Sequence, residues 1–378
     1  HLLNATNPEA LCLDGTPGAF YMASGSAGPT TKWLIWHEGK GWCLSDADCA
    51  ERALSKDGRG GWSASGWPES PGCLPDTIPF AAGVPCPGQT TCQLSPDPTL
   101  NPAFHDFNMV FVKTCDGGSF TGSRVDPVPV NYKATANGTV TESTELHYRG
   151  RAILDGVIDA LLELGIDKAT EIVVGGGSAG ALSVYLHVDY YAARLNPKGE
   201  KRVTALPDCG FFMDSNGDPP LASGGYHDGI AWMYSTEGMN GSACVDPQCR
   251  AAHSDQPELC LFAAHLTPFI ETPMFALQAQ FDAYQIPNIL HNKDPVIVNQ
   301  FGNNLTAALN AGLLDGRPAN AAMVDSCEHH CDGYDTYIVD GLTQAKAVHT
   351  WYVNGSAALP NAGRLFATNP FPCTACCG

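Results

Sequence analysis

The chain is short of charge, and shorter still of positive charge. Charged residues are 16% of its 378 residues, and 20 Lys and Arg stand against 39 Asp and Glu, a formal net charge of -19. A surface of that sign repels phosphate backbones and anionic headgroups, which argues against nucleic acid and acidic membranes as partners. No run of about 18 apolar residues occurs, so no membrane-spanning helix is expected. Repeats, charge blocks and low-complexity linkers are missing too, so a single domain over residues 1–378 is expected. At 44% hydrophobic residues the chain can bury a full core and is not a disordered segment.

What the chain has in quantity is cysteine. Sixteen cysteines, an even number, point to disulfides and an oxidising compartment rather than to free thiols or zinc ligands. Asn-X-Ser/Thr acceptor sites at Asn4, Asn137, Asn240, Asn304 and Asn354 agree with that compartment and with N-glycans, so a secreted or lumenal glycoprotein is expected. Glycine (40) and proline (28) are dense near residues 51–102 and 215–270, which read as stapled loop or lid excursions.

Between these stretches, strand-like and helix-like segments alternate. Lys32–His37, Asn108–Thr114, Glu171–Val174, Val203–Leu206 and Met274–Ala279 are short apolar runs. Thr144–Gly165, Ala179–Leu195, Pro295–Leu313 and Leu342–Val353 are helix-like. Such alternation predicts a mostly parallel α/β sheet with helices on both faces, and ligands bound beyond the carboxyl ends of its strands.

The sharpest local motif is Gly176-Gly177-Ser178-Ala179-Gly180, which fits G-x-S-x-G between a strand and a helix. There the turn pushes the serine out at the top of the sheet. The helix amino terminus faces the developing oxyanion, with the Ala179 N–H as the natural first donor. Gly175, Gly177 and Gly180 also satisfy G-x-G-x-x-G, and Asp208 follows the next strand, so a dinucleotide site competes with the nucleophile reading, as does a plain turn. A serine nucleophile needs a base and an orienting acid, which follow it in this kind of fold. Eight of the twelve histidines lie beyond Ser178, and local pattern does not choose among them.

Seven blocks in order resemble the pectin acetylesterase and Notum family of α/β-hydrolase-like carboxylesterases. Cys12-Leu13-Asp14-Gly15-Thr16-Pro17 is similar to "CLDGSP", and Glu38-Gly39-Lys40-Gly41-Trp42-Cys43 to "EGGGWC". Cys115 through Gly122 resembles "CDGxSFTG", and GGGSAGALS matches the nucleophile segment. Asp208 through Asp214 resembles "DxGFFLD", Gln278 through Gln285 "QxxYDxxQ", and Ser326 through Cys331 "SCxxHC". The closer likeness is to the pectin acetylesterase branch.

The resemblance implies an α/β-hydrolase-like fold and a triad of Ser178, Asp282 and His330, with His330 preferred to its neighbour His329. It implies oxyanion donors at Lys40, Gly41 and Ala179, with Lys40 replacing a family glycine, so that a turn needing positive φ there would be strained. Trp42 is then a site wall or core, and Asp116 and Ser119 either contact substrate or close a turn. Disulfides Cys43–Cys49 and Cys12–Cys115 are implied, and bridges at Cys327 and Cys331 would pin the loop of the base.

The function expected is a secreted serine esterase that O-deacetylates a polysaccharide, without cofactor or metal. Removal of a longer acyl chain from a protein or lipid is the alternative, and a catalytically weak extracellular binding or structural protein the second. A zinc site from Cys327, His330, Cys331, Cys373, Cys376 and Cys377, and a copper site at His1, are weaker rivals. If the cysteines are bridged, thiol titration of the denatured, unreduced protein finds few or none of the sixteen. A majority of free thiols would break the compartment argument.

Overall fold

The computed structural model describes residues 1–54, 92–133, 141–241, 245–331, 333–373 and 376. Its strands are β1 (Phe20–Ala23), β2 (Lys32–His37), β3 (Asn108–Val112), β4 (Val128–Lys133), β5 (Thr141–Leu146), β6 (Glu171–Gly177), β7 (Arg202–Asp208), β8 (Phe275–Ala279), β9 (Ala321–Asp325), β10 (Ile338–Val339), β11 (Leu342–Thr343) and β12 (Arg364–Phe366). Its α-helices are α1 (Asp46–Leu54), α2 (Gly150–Glu163), α3 (Ala179–Leu195), α4 (Tyr226–Thr236), α5 (Pro247–Ala252), α6 (Ala263–Leu266), α7 (Pro295–Leu309) and α8 (Gln344–Asn354).

Eight strands form one sheet in the order β1-β3-β2-β6-β7-β8-β9-β12. Only the edge strand β1 runs antiparallel to its neighbour; the other pairings are parallel. The strands read as unbroken apolar runs because both faces are covered. Along β2, Trp33 and Ile35 enter one core and Leu34 and Trp36 the other. The first core takes Val157 and Leu161 of α2, Val184 and Val188 of α3, and Phe301 and Leu305 of α7. The second takes Val348 and Trp351 of α8.

Several expected boundaries move. The helix expected from Thr144 starts at Gly150, because Thr141–Leu146 is a strand paired with β4, where its β-branched threonines fit an exposed hairpin. Strand β9 (AAMVD) carries no β-propensity signal beyond its short apolar run, and sequence reading passed over it. The 215–270 stretch is not a loop excursion: α4, α5 and α6 form there, and Tyr226, Ile230, Met233 and Leu266 join the core. Most of its glycines and prolines sit between helices, though Gly229 lies within α4, and an Asp246 cap followed by Pro247 starts α5. Most of the 51–102 stretch, with Cys73 and Cys86, lies outside the described residues, as do Asn137, Cys244 and Cys377. Asn4, Asn240, Asn304 and Asn354 are exposed.

The consequence for function lies at one end of the sheet. Strands β2, β3, β6, β7, β8 and β9 end at His37, Val112, Gly177, Asp208, Ala279 and Asp325. Every residue singled out for chemistry follows one of these ends within a few positions.

Candidate active site

Ser178 stands between β6 and α3 with φ 55° and ψ -125°, a left-handed conformation that a serine adopts only where its surroundings hold it. Its N–H donates to Asp208 O at 3.0 Å, and the residue is half-buried at the top of the sheet. Two glycines let the backbone close around it. A Cβ on Gly180 would come 2.2 Å from His37 O, and one on Gly39 would come 2.1 Å from Gly177 O and 2.8 Å from Ser178 Cβ. The loop after β2 is thus packed onto the serine turn. That packing fills the room a dinucleotide pyrophosphate would need over the glycines.

The other two triad candidates reach Ser178 from β8 and β9. His330 Nε2 lies 2.8 Å from Ser178 Oγ, and its Nδ1 lies 3.0 Å from both carboxylate oxygens of Asp282. Asp282 is fully buried. Its Oδ1 accepts from the N–H groups of Tyr284 at 2.8 Å and Gln285 at 3.0 Å, and its Oδ2 from Gln278 Nε2 at 3.1 Å. A carboxylate so supplied is fixed in place and holds the imidazole in one orientation. Neighbouring His329 points away: its Nε2 lies 3.0 Å from both oxygens of Asp325, and its ring lies 4.2 Å from that of Tyr337. Among the remaining histidines, His37 and His187 are buried in the core, and burial pulls both down to about 3.

Disulfides frame this arrangement. Cys12 is bonded to Cys115 and Cys43 to Cys49, beside the loops after β3 and β2. A third bridge, Cys209–Cys331, ties the residue after β7 to the residue after His330. Cys327 is also disulfide-bonded, and Cys373 pairs with Cys376. Among the described residues, two clusters have the side-chain types of a metal site, Cys209–His330–Cys331 and Cys43–Cys49–Glu237. In each the sulfurs form a disulfide and offer no thiolate, and the same is true of the sulfurs described in the zinc alternative. The His1 amine donates to Phe20 O at 2.9 Å.

In the loop after β2, the left-handed residue is Gly41, at φ 73°. Lys40 is not among the non-glycine residues with positive φ, so lysine replaces glycine there without that strain. Its ammonium turns to Glu38 at 3.6 Å, and its carbonyl accepts from Arg52 Nη1 at 3.4 Å. The N–H groups of Lys40, Gly41 and Ala179 have no hydrogen-bond partner among the described residues.

Trp42, Asp116 and Ser119 are placed differently from substrate contacts. All three are buried. Trp42 Nε1 donates to Ser119 Oγ at 2.6 Å, and Ser119 Oγ donates to Ala179 O at 2.8 Å, a relay from the β2 loop to the first turn of α3. Asp116 Oδ2 accepts from the N–H groups of Gly118 and Phe120 and closes the turn that carries Ser119. Their side chains are almost wholly enclosed by the framework.

Sequence reading missed four contributors. Gln278 and Gln285 bracket Asp282 and hold the loop after β7 through Phe211 and Met213. Tyr284 lies 5.3 Å and Phe212 6.2 Å from the His330 ring. All four fall inside blocks quoted for the resemblance, which was the available signal.

A buried acid pair lies under the framework. Glu237 is buried within 4.8 Å of both sulfurs of Cys43–Cys49, and neither of its oxygens has a hydrogen-bond partner. Burial, then the Asp116 charge, pushes its carboxyl well above the usual range. Burial also raises Asp116 to about 6, against the opposing N–H bonds of Phe120 and Gly118. Both groups bind protons more tightly folded than unfolded, so their contribution to stability is lost as pH rises from the ordinary carboxyl range through those raised values. Denaturant midpoints measured from pH 5 to pH 8 should therefore fall in the wild type and fall less in Glu237→Gln. Parallel curves would contradict this assignment.

Comparison with known proteins agrees with the sheet. The Pectinacetylesterase family model matches residues 1–68 and 86–296. Pectin acetylesterase 5 of Arabidopsis thaliana is 27% identical over 400 residues, which cover 97% of this chain and 82% of that protein. Palmitoleoyl-protein carboxylesterase notum1a of Danio rerio is 26% identical over 353 residues, 91% of this chain and 64% of that protein. The solved structure of the Wnt deacylase Notum from Drosophila matches with a TM-score of 0.76 over 98% of this chain and 97% of that one, at 23% identity, which shows the α/β-hydrolase-like fold. The chain belongs to the pectinacetylesterase family of carboxylic ester hydrolases.

Proposed function

We propose that the chain is a secreted serine esterase, one catalytic domain over residues 1–378, that removes O-acetyl groups from a polysaccharide. The observation that carries the reading is the continuous hydrogen-bonded line from Ser178 Oγ through His330 to Asp282, on a serine held at φ 55°. His330 Nε2 takes the Oγ proton as oxygen attacks the ester carbonyl. Asp282 accepts from Nδ1–H and stabilises the imidazolium. The carbonyl oxygen, now anionic, is received by the unpartnered N–H groups of Lys40, Gly41 and Ala179, the last at the positive end of α3. The imidazolium gives its proton to the sugar oxygen as the C–O bond breaks, so the sugar leaves as a hydroxyl, and a water then deacylates Ser178 by the same path.

The relay Trp42–Ser119–Ala179 and the Asp116 turn support this hole from behind. They keep its donors in place before substrate arrives, which is where such a site gains most. Five disulfides between described cysteines favour an oxidising compartment, and four exposed acceptor asparagines favour N-glycans. Among the described residues no helix is long and apolar enough to cross a membrane.

The test is release of acetate from acetylated polysaccharide and of nitrophenol from p-nitrophenyl acetate. Ser178→Ala and His330→Ala should each remove the activity, and Asp282→Asn should cost about 10⁴-fold in kcat, with the fold retained by circular dichroism. Undiminished hydrolysis by Ser178→Ala would overturn the reading.

A further inference from the structure

An ester carbonyl bonded to Ser178 lies between the β2 loop and the imidazole, and its acyl tail must leave through the space those two border. The structure fills the inward side of that space with aromatic rings. Trp42, which follows the proposed donors Lys40 and Gly41, meets Phe212 edge-on at 4.8 Å. Phe212 in turn lies 6.2 Å from the His330 ring and 5.9 Å from Tyr284. Behind this pair, Tyr226 lies 5.4 Å from Trp42, 6.2 Å from Phe212 and 5.7 Å from Phe262. Trp42, Phe212, Tyr226 and Phe262 are 2, 1, 3 and 1% exposed, so these four rings pack on one another and are almost wholly covered. Ser178 and Tyr284 are half-exposed on the other side, which suits a sugar leaving group.

The wall is also held in place. The Phe211 N–H donates to Gln278 Oε1, and the Met213 N–H to Gln285 Oε1, so the backbone on either side of Phe212 is tied to the two glutamines beside Asp282. At the start of α4, the N–H groups of Gly225 and Asp228 both donate to Asn216 Oδ1. One consequence has no packing benefit: the Tyr226 hydroxyl is buried without a hydrogen-bond partner. A buried unpaired hydroxyl is unfavourable, and a phenylalanine would fill the same volume without it.

We propose that Phe212, backed by Tyr226, is the acyl-length gate: the wall leaves room for an acetyl group beside Ser178 and closes the path that a longer chain would take. The inference rests on the Ser178 deacetylase reading and adds to it the residues that set the acyl length. Phe212 acts by occupying volume, not by reacting, so its signature is a ratio between substrates. An aromatic ring removed from a packed wall leaves space that several methylenes can fill, and each pocket methylene discriminates substrates by about tenfold or more.

The experiment compares p-nitrophenyl acetate, butyrate, octanoate and palmitate with the wild type, Phe212→Leu, Phe212→Ala, Phe212→Ala/Tyr226→Ala and Tyr226→Phe. The wild type and Tyr226→Phe should peak at acetate. The octanoate-to-acetate ratio of kcat/KM should rise about tenfold or more in Phe212→Ala and further in the double variant, with Phe212→Leu between. A wild-type peak at octanoate or longer would overturn the gate and the acetyl preference together while leaving Ser178 esterase chemistry intact, and it needs no variant to fold. An unchanged ratio in a folded, active Phe212→Ala would overturn it equally. Failure of folded wild type to hydrolyse any of the four esters would remove the esterase reading and the gate with it.

Discussion

The contact on which the site depends is the one between Gly39 and the turn at Ser178. Any side chain at Gly39 would collide with Gly177 O, and any at Gly180 with His37 O. Two backbone segments from adjacent parallel strands therefore meet without side chains between them. This brings the N–H groups of Lys40 and Gly41 to the same end of the sheet as Ala179. Because the approach is backbone on backbone, it cannot be replaced by side-chain packing, and the surrounding loops are built to hold it.

How they hold it is visible in the backbone. Of nine non-glycine residues with positive φ among the described residues, five lie on the strand-end loops of the site: Ser119, Phe120, Ser178, Cys209 and Cys331. Each such conformation costs on the order of 1–3 kcal/mol and persists only where its surroundings over-determine it. Here the over-determination is explicit. Cys209 and Cys331 are joined to each other. Ser119 is held by Trp42 and Ala179, and the Phe120 N–H by Asp116. The disulfides are thus less a general reinforcement than a frame around a strained serine. The same frame explains why Trp42 and Asp116 turn inward, and it gives the aromatic wall next to His330 a rigid backing.

Much of this was legible in the sequence, but on different grounds at different positions. The elbow announces itself locally, because strand, glycines, serine and helix are contiguous. Asp282 and His330 are separated from it by more than a hundred residues. With twelve histidines present, only block-by-block resemblance distinguished His330. The choice between His329 and His330 rests on alternation: adjacent side chains point apart, and Asp325 takes one while Asp282 takes the other. The pairing of Cys209 with Cys331 was not legible, since spacing carries no information about bridges between distant loops. Nor was the inward placement of Trp42, Asp116 and Ser119, which depends on a relay across three loops. The helices within 215–270 were hidden by glycine and proline: Gly229 lies inside α4, although Tyr226, Ile230, Met233 and Tyr234 keep helical spacing there, and α5 and α6 are too short to show a stripe. The net charge of -19 excluded partners and did not point to the site.

The central claim is that Ser178 is the activated nucleophile. A fluorophosphonate probe followed by peptide mass mapping tests it at the level of one atom, because the probe phosphorylates only a serine whose hydroxyl is activated by its neighbours. The account predicts a single adduct on the peptide carrying Ser178, abolished by Ser178→Ala. An adduct on another residue, or none on correctly folded protein, would contradict it.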